Sequence, residues 1–353
     1  ERGRIEVGDG ADVGSCPATA DKISSGDAIS SPAKRGKGTA EGGGGGQLPQ
    51  DAHNSAPPIA ALVLGSGFER LPRLVDELAR HFPLAGNNGE TIRRVKDPER
   101  LAADCAEIGI PHPDIMRQRP ADPANWIAKL AGGAGGTHIA PAGAAADESG
   151  RYFQRLVRGR SLSALFVADR DRAHIVGFSR QWTSPTPGSP YRYGGAVRLR
   201  RYGGATIAAW LTALTRRTGL VGLCSADFIE TGNGPVILIE INPRPGATLD
   251  IFDCAETPLL EAHIRACRGQ AFELPRYAGA MASQIAYAGR QIARFPAIDW
   301  PRWTADHQSA GSRIEVGEPI CTVFGRGESA AAARRAVRSN LRHLERHWTG
   351  SKP

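Results

Sequence analysis

The sequence predicts an α/β fold, and three stretches of the chain support this prediction. Residues 221–241 contain two short apolar segments around a turn, rich in β-branched side chains, which is typical of paired strands. Residues 126–139 contain a strand, a glycine-rich turn and the start of another strand. Residues 98–108 are predicted to be a helix, because Asp97 can cap it and Pro98 suits its first position.

Length and composition limit the possible classes of protein. The chain has 353 residues, of which 41% are hydrophobic, so it is long enough for two or three compact units. It has no run of about eighteen apolar residues, and we expect no membrane-spanning helix. The first residues match neither a signal peptide nor an amphipathic presequence. Six scattered cysteines without metal-ligand spacing favour reduced thiols and a cytoplasmic location.

The formal net charge of +8 raises the question of a nucleic-acid partner. The excess is nearly all arginine spread along the chain, with no basic block and no interleaved aromatic residues. We therefore expect neither nucleic acid nor a membrane as partner, whereas acidic small molecules would suit the charge.

Three side chains with oxygen ligands lie on the predicted strand pair. Asp227 is on the first strand, while Glu240 and Asn242 share one face of the second, because alternate residues of a strand point the same way. The turn brings Asp227 opposite them, so two carboxylates and an amide form a site suited to Mg²⁺ or Mn²⁺ and to nucleotide phosphates. Arg244 follows between two prolines, a rigid position for a guanidinium beside phosphate oxygens.

Lysine is rare in this chain, and its positions are therefore informative. Of the six lysines, just Lys96 and Lys129 lie in the body of the chain, where a compact ammonium differs usefully from a planar guanidinium. Lys129 comes at a strand end before a glycine-rich loop, whose free amides can close over phosphate groups. A flexible hairpin is the alternative. The loop residues expected to bind nucleotide are Gly132, Gly133, Gly135 and Gly136.

Two further segments are candidates for the substrate side. Gly65 and Ser66 lie in a turn between a predicted strand at 59–64 and a predicted helix, where helix amides can point at a ligand. A tight structural turn is an equal alternative. Arg180 precedes a loop rich in proline and serine and is a candidate to bind phosphate or carboxylate, with a solvated loop as the alternative.

The segments Asp227-Phe228 and Glu240-Ile-Asn-Pro-Arg244 resemble the metal-binding hairpin of the ATP-grasp superfamily of carboxylate–amine or carboxylate–thiol ligases. Lys129 with its glycine-rich loop resembles the phosphate loop of the same superfamily. The resemblance covers about residues 59–348. It implies an ATP-grasp fold, in which two α/β lobes clasp ATP and Mg²⁺ (or Mn²⁺), with a truncated or atypical N-terminal domain.

The resemblance also implies roles for individual residues. Lys96 and Lys129 would contact the nucleotide phosphates, and Arg244 and Lys129 would be catalytic. Residues 151–157 match the hinge that binds adenine in the family, so the resemblance assigns cofactor binding to Gln154, Leu156 and Val157.

The resemblance further divides the chain into four parts. Residues 1–56 are poor in large apolar side chains and are expected to be a disordered, low-complexity segment. Residues 57–120 would be a remnant N-terminal α/β region, and residues 121–275 the ATP-grasp domain. Residues 276–353 would form a C-terminal segment of strands and a helix.

The activity that the resemblance implies is ATP-dependent ligation. A substrate carboxylate becomes an acylphosphate, an amine attacks it, and ADP and phosphate are released. The partners are then a small-molecule carboxylate and an amine, with a homodimer as the assembly. The segments GSGFE, VKDPERL and GGAGGTHI are similar to ligases of methanofuran and tetrahydromethanopterin biosynthesis, such as tyramine–glutamate ligase. A catalytically silent ATP-binding regulatory protein and a nucleic-acid-binding protein are the alternatives.

Overall fold

The computed structural model describes residues 59–146, 149–232 and 234–349. The predicted low-complexity segment, residues 1–56, lies outside the described residues. The helices are α1 (Pro72–His81), α2 (Gly89–Lys96), α3 (Pro98–Ile108), α4 (Ala205–Thr218), α5 (Leu259–Cys267) and α6 (Ala330–Thr349). Short 3₁₀ helices lie at Phe68–Arg70, Ala142–Ala144 and Leu249–Ile251.

The strands form two antiparallel sheets. The first four strands are β1 (Ile115–Met116), β2 (Trp126–Leu130), β3 (Ala140–Pro141) and β4 (Arg151–Arg155). The others are β5 (Arg160–Asp169), β6 (Ala173–Thr183), β7 (Tyr193–Arg198), β8 (Val221–Glu230), β9 (Val236–Asn242), β10 (Ala280–Tyr287), β11 (Thr304–Ala305) and β12 (Pro319–Gly327). The small sheet has the order β1-β4-β2-β3, and the large sheet has the order β11-β12-β10-β7-β6-β5-β8-β9. Residues 156–159 join the last strand of the small sheet in sequence, β4, to β5 of the large one.

Helices cover the centre of the large sheet on both faces. On one face, Leu162 and Phe166 of β5 pack in a cluster with Leu211 of α4. On the other face, Val167 packs in a cluster with Leu259 of α5. Burial on both faces explains why the sequence of β5 is an almost continuous apolar run instead of an alternation.

The far end of the large sheet forms a separate apolar layer, here called the C-terminal layer, which consists of β10, β12 and α6. Val323, Ala333 and Val337 are buried in its core. Gly325 of β12 lies directly under α6, because a Cβ atom added there would overlap the backbone of Val337. The helix therefore lies close against the strand.

The structure contains the predicted helix at 98–108 and the predicted strands around residues 126–130 and 221–242. The predicted strand at 59–64 is wrong, since just Leu62 forms an isolated parallel bridge, with Leu84. The predicted helix after this segment is present as α1, in which Val75 is buried and Leu74 is 42% exposed.

The cysteine prediction holds for most of the described thiols. Free thiols are present at Cys105, Cys224, Cys267 and Cys321.

Candidate active site

The hairpin of β8 and β9 places the predicted metal ligands side by side. Asp227 and Glu240 are direct cross-strand partners, and a β-bulge follows between Asp227 and Phe228. The amide nitrogen of Asn242 donates to Asp227 Oδ2 at 3.0 Å. Directly opposed residues of an antiparallel pair point to the same face, so the two carboxylates share one surface.

Both lysines of the described residues meet this surface. Lys96 is the last residue of α2, and its Nζ donates to Glu240 Oε1 at 2.6 Å and to Asn242 Oδ1 at 2.8 Å. Lys129 of β2 reaches the same carboxylate from the small sheet, with its Nζ 3.6 Å from Glu240 Oε2. Its side chain is 2% exposed. We call these two lysines, together with Asp227, Glu240 and Asn242, the charged cluster.

Burial and charge act on the two carboxylates in opposite directions. Burial acts to raise the pKa of Glu240, but the ammonium groups of Lys96 and Lys129 outweigh it and lower the pKa to about 2. Burial raises the pKa of Asp227, and the neighbouring Glu240 carboxylate raises it further. Burial would lower the pKa of Lys129, yet Tyr152 and Glu240 raise it above its ordinary value. The surroundings thus favour the ionised form of Glu240 and disfavour the ionised form of Asp227.

Gln154 of β4 links the small sheet to the hairpin. Its Oε1 accepts from Lys129 Nζ at 3.4 Å, and its Nε2 donates to the carbonyl of Ile239 at 3.4 Å. The backbone amide of Leu156 donates to the carbonyl of Asn125 at 2.8 Å. A base bound at this hinge would therefore have to form its hydrogen bonds with backbone groups other than the Leu156 amide. Those of Val157, the next residue, are candidates.

The glycine-rich loop after β2 contacts two other parts of the chain. A Cβ atom at Gly132 would lie 2.8 Å from the carbonyl oxygen of Glu69, and one at Gly136 would overlap the carbonyl oxygen of Tyr191. Both glycines have positive φ, of 72° and 75°, which other residues rarely adopt. The carbonyl of Gly135 accepts from the amide of Tyr193 at 3.0 Å, so the loop is hydrogen-bonded to the large sheet. Gly133 of the same loop lies against the ring of His138.

Arg244 follows the hairpin and forms a buried ion pair that the sequence did not predict. Its Nε donates to Glu69 Oε1 at 2.6 Å, and the two side chains are 13% and 2% exposed, respectively. Gly65 lines a small cavity together with this pair, and both Gly65 and Ser66 are exposed. The predicted turn at 65–66 and the predicted catalytic arginine therefore lie close together.

Arg180 does not join the charged cluster. Its neighbour Gln181 donates from Nε2 to Asp227 Oδ1 at 3.3 Å. Adjacent residues of a strand point to opposite faces, so Arg180 points away from Asp227. It pairs instead with Glu230, at 2.5 Å. That Arg180 binds a substrate phosphate or carboxylate stays a prediction, and the residue of β6 that reaches the cluster is Gln181.

Three residues of the site escaped sequence reasoning: Glu69, Gln181 and His138. Burial lowers the pKa of His138, whose ring lies beside the phosphate loop. Two of the three lay inside segments singled out above, GSGFE and GGAGGTHI. The positions of Glu69 and His138, next to a turn and a loop that were predicted to bind ligands, could have identified them. Their residue types alone could not.

The charged cluster fits a divalent cation on the chemistry of its donors. Carboxylate and amide oxygens are the ligands that Mg²⁺ prefers. Asp227 and Glu240 are opposed on one face, and the charge of Glu240 raises the pKa of Asp227, so a cation between them would relieve their repulsion.

Comparison with known families agrees with this arrangement. A family model described as the ATP-grasp domain matches residues 99–248, which contain Lys129, the glycine-rich loop and the whole hairpin. No curated protein matches the sequence significantly.

Solved structures similar to this chain share its fold at low sequence identity. The biotin carboxylase domain of 2-oxoglutarate carboxylase from Hydrogenobacter thermophilus, in complex with MgADP, ADP and bicarbonate, has 12% identity and a TM-score of 0.63 over 80% of this chain and 73% of that chain. N5-carboxyaminoimidazole synthase from Aspergillus clavatus, in complex with ADP and 5-aminoimidazole ribonucleotide, has 12% identity and a TM-score of 0.58 over 78% and 79% of the two chains. L-amino acid ligase from Bacillus licheniformis has 12% identity and a TM-score of 0.56 over 78% and 77%.

Among the helices of the described residues, none has the length and apolarity needed to span a bilayer. The two antiparallel sheets, the hairpin with its paired carboxylates and the matched family together establish the architecture. This chain has the ATP-grasp fold and carries an ATP-grasp domain in residues 99–248.

Proposed function

We propose that the protein is an ATP-dependent ligase that converts a carboxylate into an acylphosphate and joins it to an amine. One observation carries this proposal: the charged cluster brings two lysines, two carboxylates and an amide together from three separate elements, α2, β2 and the hairpin. Burying several charged groups together lowers the stability of a fold, so such a cluster indicates a site that binds a charged ligand.

The residues of the cluster have distinct roles in the proposed reaction. The ammonium groups of Lys96 and Lys129 stabilise the negative charge that moves with the transferred phosphoryl group. The loop of Gly132, Gly133, Gly135 and Gly136 closes over the phosphates, with the amide of Gly133 itself bound to the carbonyl of Leu130 at 3.0 Å. The hinge at Gln154, Leu156 and Val157 binds the base through backbone groups other than the Leu156 amide. Arg244 holds the acylphosphate while the amine attacks its carbonyl carbon and phosphate leaves.

Asp227, Glu240 and Asn242 are the residues that would hold Mg²⁺ or Mn²⁺ with the nucleotide. When bound, the ion neutralises phosphate oxygens and orients the γ-phosphoryl group. The chain itself supplies the ion's ligands and, with Gln181, the hydrogen bond that orients Asp227.

For the substrates, we propose a small carboxylate and an amine such as glutamate and tyramine, in the biosynthesis of methanofuran or tetrahydromethanopterin. The support is the similarity of GSGFE, VKDPERL and GGAGGTHI to ligases of those pathways. In this structure the three segments carry Glu69, Lys96 and the phosphate loop, respectively, so the similar residues are those of the site.

The test is the formation of ADP from MgATP with a panel of carboxylates, alone and paired with amines that include tyramine. Hydroxylamine in place of the amine should trap the acylphosphate as a hydroxamate. Asp227→Ala and Glu240→Ala should abolish turnover. Glu315→Ala, at an exposed carboxylate paired with Arg313, should leave it unchanged.

A requirement for both a carboxylate and an amine would support the ligase. Binding of MgATP without turnover for any pair would favour the catalytically silent regulatory protein. A chain that does not bind MgATP would contradict the proposal.

A further inference from the structure

The reaction proposed above gives a role to Arg244 but none to Glu69, its buried partner in an ion pair. The Glu69 carboxylate is almost completely buried, and it accepts from the guanidinium at 2.6 Å and from the amide of Gly67 at 3.0 Å. Gly67 has a φ of 104°, so a left-handed turn positions the 3₁₀ helix that carries Glu69. The local backbone thus serves to bring this carboxylate to Arg244.

A buried ion pair limits which ligands can bind to Arg244. If a ligand carboxylate takes the guanidinium, Glu69 is left as a buried anion without a cation, which is strongly unfavourable. A ligand that also carries an ammonium group replaces the lost partner. The exchange then leaves four charges in two pairs, with no buried charge unpaired.

We infer that Glu69 binds the ammonium group of an α-amino acid substrate whose carboxylate is bound by Arg244. This inference rests on the proposed function, and it names the class of the carboxylate substrate. An α-amino acid carries its ammonium and carboxylate groups on one carbon atom, so the two groups match two protein charges that are themselves in contact. Glu69 is then a specificity-determining residue that rejects carboxylates without a neighbouring cation.

The space around the pair is consistent with exchange. Gly65, Glu69, Gly86 and Arg244 line a cavity of about 20 Å³, which is room for about one water molecule. An amino acid must therefore part the two side chains to enter. The carbonyl of Glu69 lies against Gly132, so the phosphate loop and the amino-acid site share a boundary.

A simpler role for Glu69 would be to orient Arg244. An orienting carboxylate would affect all carboxylate substrates alike, whereas an ammonium-binding carboxylate distinguishes amino acids from analogues that lack the amine. The two roles differ in one measurable ratio, the affinity for an amino acid divided by that for its α-hydroxy analogue.

The experiment measures this ratio by calorimetry in the presence of MgADP, so that binding is observed without turnover. The probes are L-glutamate, L-alanine and L-tyrosine, each against the matching L-α-hydroxy acid. The wild-type protein should bind at least one amino acid about tenfold to a hundredfold more tightly than its analogue, as for a hydrogen bond to a charged group. Glu69→Gln should lower this ratio to near one.

Glu77→Gln is the matched control, because Glu77 is an exposed glutamate of α1 that pairs with Arg80. It should leave the ratio unchanged. Thermal unfolding and MgADP binding of both variants show whether the fold and the nucleotide site are intact. If Glu69→Gln does not fold, Glu69→Asp should keep the preference for amino acids at reduced affinity.

Equal affinity for amino acid and hydroxy acid in the wild type, or an unchanged ratio in Glu69→Gln, would overturn the inference. Absence of binding by all six probes would overturn it too. Failure of this inference can be distinguished from failure of the proposed function. Turnover of an amine together with a carboxylate substrate that carries no amino group would still establish a ligase.

Discussion

The charged cluster and the C-terminal layer lie in one protein but are stabilised by opposite means. The cluster buries lysines and carboxylates that stabilise one another by charge, and its energetics depend on which groups are ionised. The C-terminal layer buries apolar side chains, and its energetics depend on shape, as Gly325 under α6 illustrates. A substitution in the cluster should therefore change function, and its effect on stability should depend on which charge it removes. In the layer it should change stability alone.

Glu240→Gln should have the largest combined effect, because it removes the counter-charge of two buried ammonium groups. We expect turnover to be lost and the free energy of unfolding to fall by about 3 kcal/mol, as when one partner of a buried pair is removed. Chemical denaturation and ADP formation measure the two effects. Normal stability in this variant would contradict the role assigned to the cluster.

The same carboxylate predicts a pH dependence of stability. Its pKa in the folded protein is about 2, below the ordinary 4.5, so folding favours the ionised form. The stabilisation is complete above pH 4.5 and is lost as the pH falls toward 2. Denaturation series between these values should show that Glu240→Gln lacks this component of the pH dependence.

Lys129→Met should abolish most activity with a smaller effect on stability, since Lys96 still pairs with Glu240. We expect the specificity constant to fall about 100-fold to 1,000-fold, as for the loss of one group that stabilises transition-state charge. Steady-state ADP formation measures this. Arg170→Met, at an exposed position on the turn after β5, is a control that should behave as wild type.

Asp227→Asn should separate the two properties within the cluster. Since burial and Glu240 raise the pKa of Asp227, its ionised form weakens the fold at neutral pH. The neutral amide should therefore leave the free energy of unfolding unchanged or higher, while turnover is lost. A marked loss of stability by chemical denaturation would show that its hydrogen bonds outweigh the charge effect.

Gly325→Ala tests the C-terminal layer and should have the smallest effect on function. The added methyl group would overlap the backbone of α6, so we expect a loss of about 1 to 3 kcal/mol in the free energy of unfolding. The specificity constant should remain that of the wild type at temperatures where the variant is folded. A loss of activity below the unfolding temperature would show that the layer is coupled to the site.

The sequence predicted those parts of the site whose information is local. Asp227, Glu240 and Asn242 lie within one hairpin, where strand alternation alone determines which residues share a face. Lys96 and Lys129 were found because lysine is rare in this chain, and both contact Glu240.

What could not be predicted depends on long-range packing or on exact register. Glu69 and Arg244 are 175 positions apart, and no local pattern relates them. Gln181 could not be identified, because its contact with Asp227 depends on the face of β6 that it occupies, and a shift of one residue reverses the face of a strand. The predicted strand at 59–64 failed because its apolar composition cannot reveal that its partner segment offers just one bridge, at Leu84.

The hydrogen bond from the Tyr193 amide to the carbonyl of Gly135 joins the glycine-rich loop to the large sheet. It leaves this one amide proton protected from solvent for as long as the loop stays against β7. Each opening of the loop would expose the proton to deuterium, so the protection of this amide against exchange measures the free energy of loop opening. Hydrogen exchange at a single backbone position would therefore report how readily the loop leaves the sheet, without any turnover.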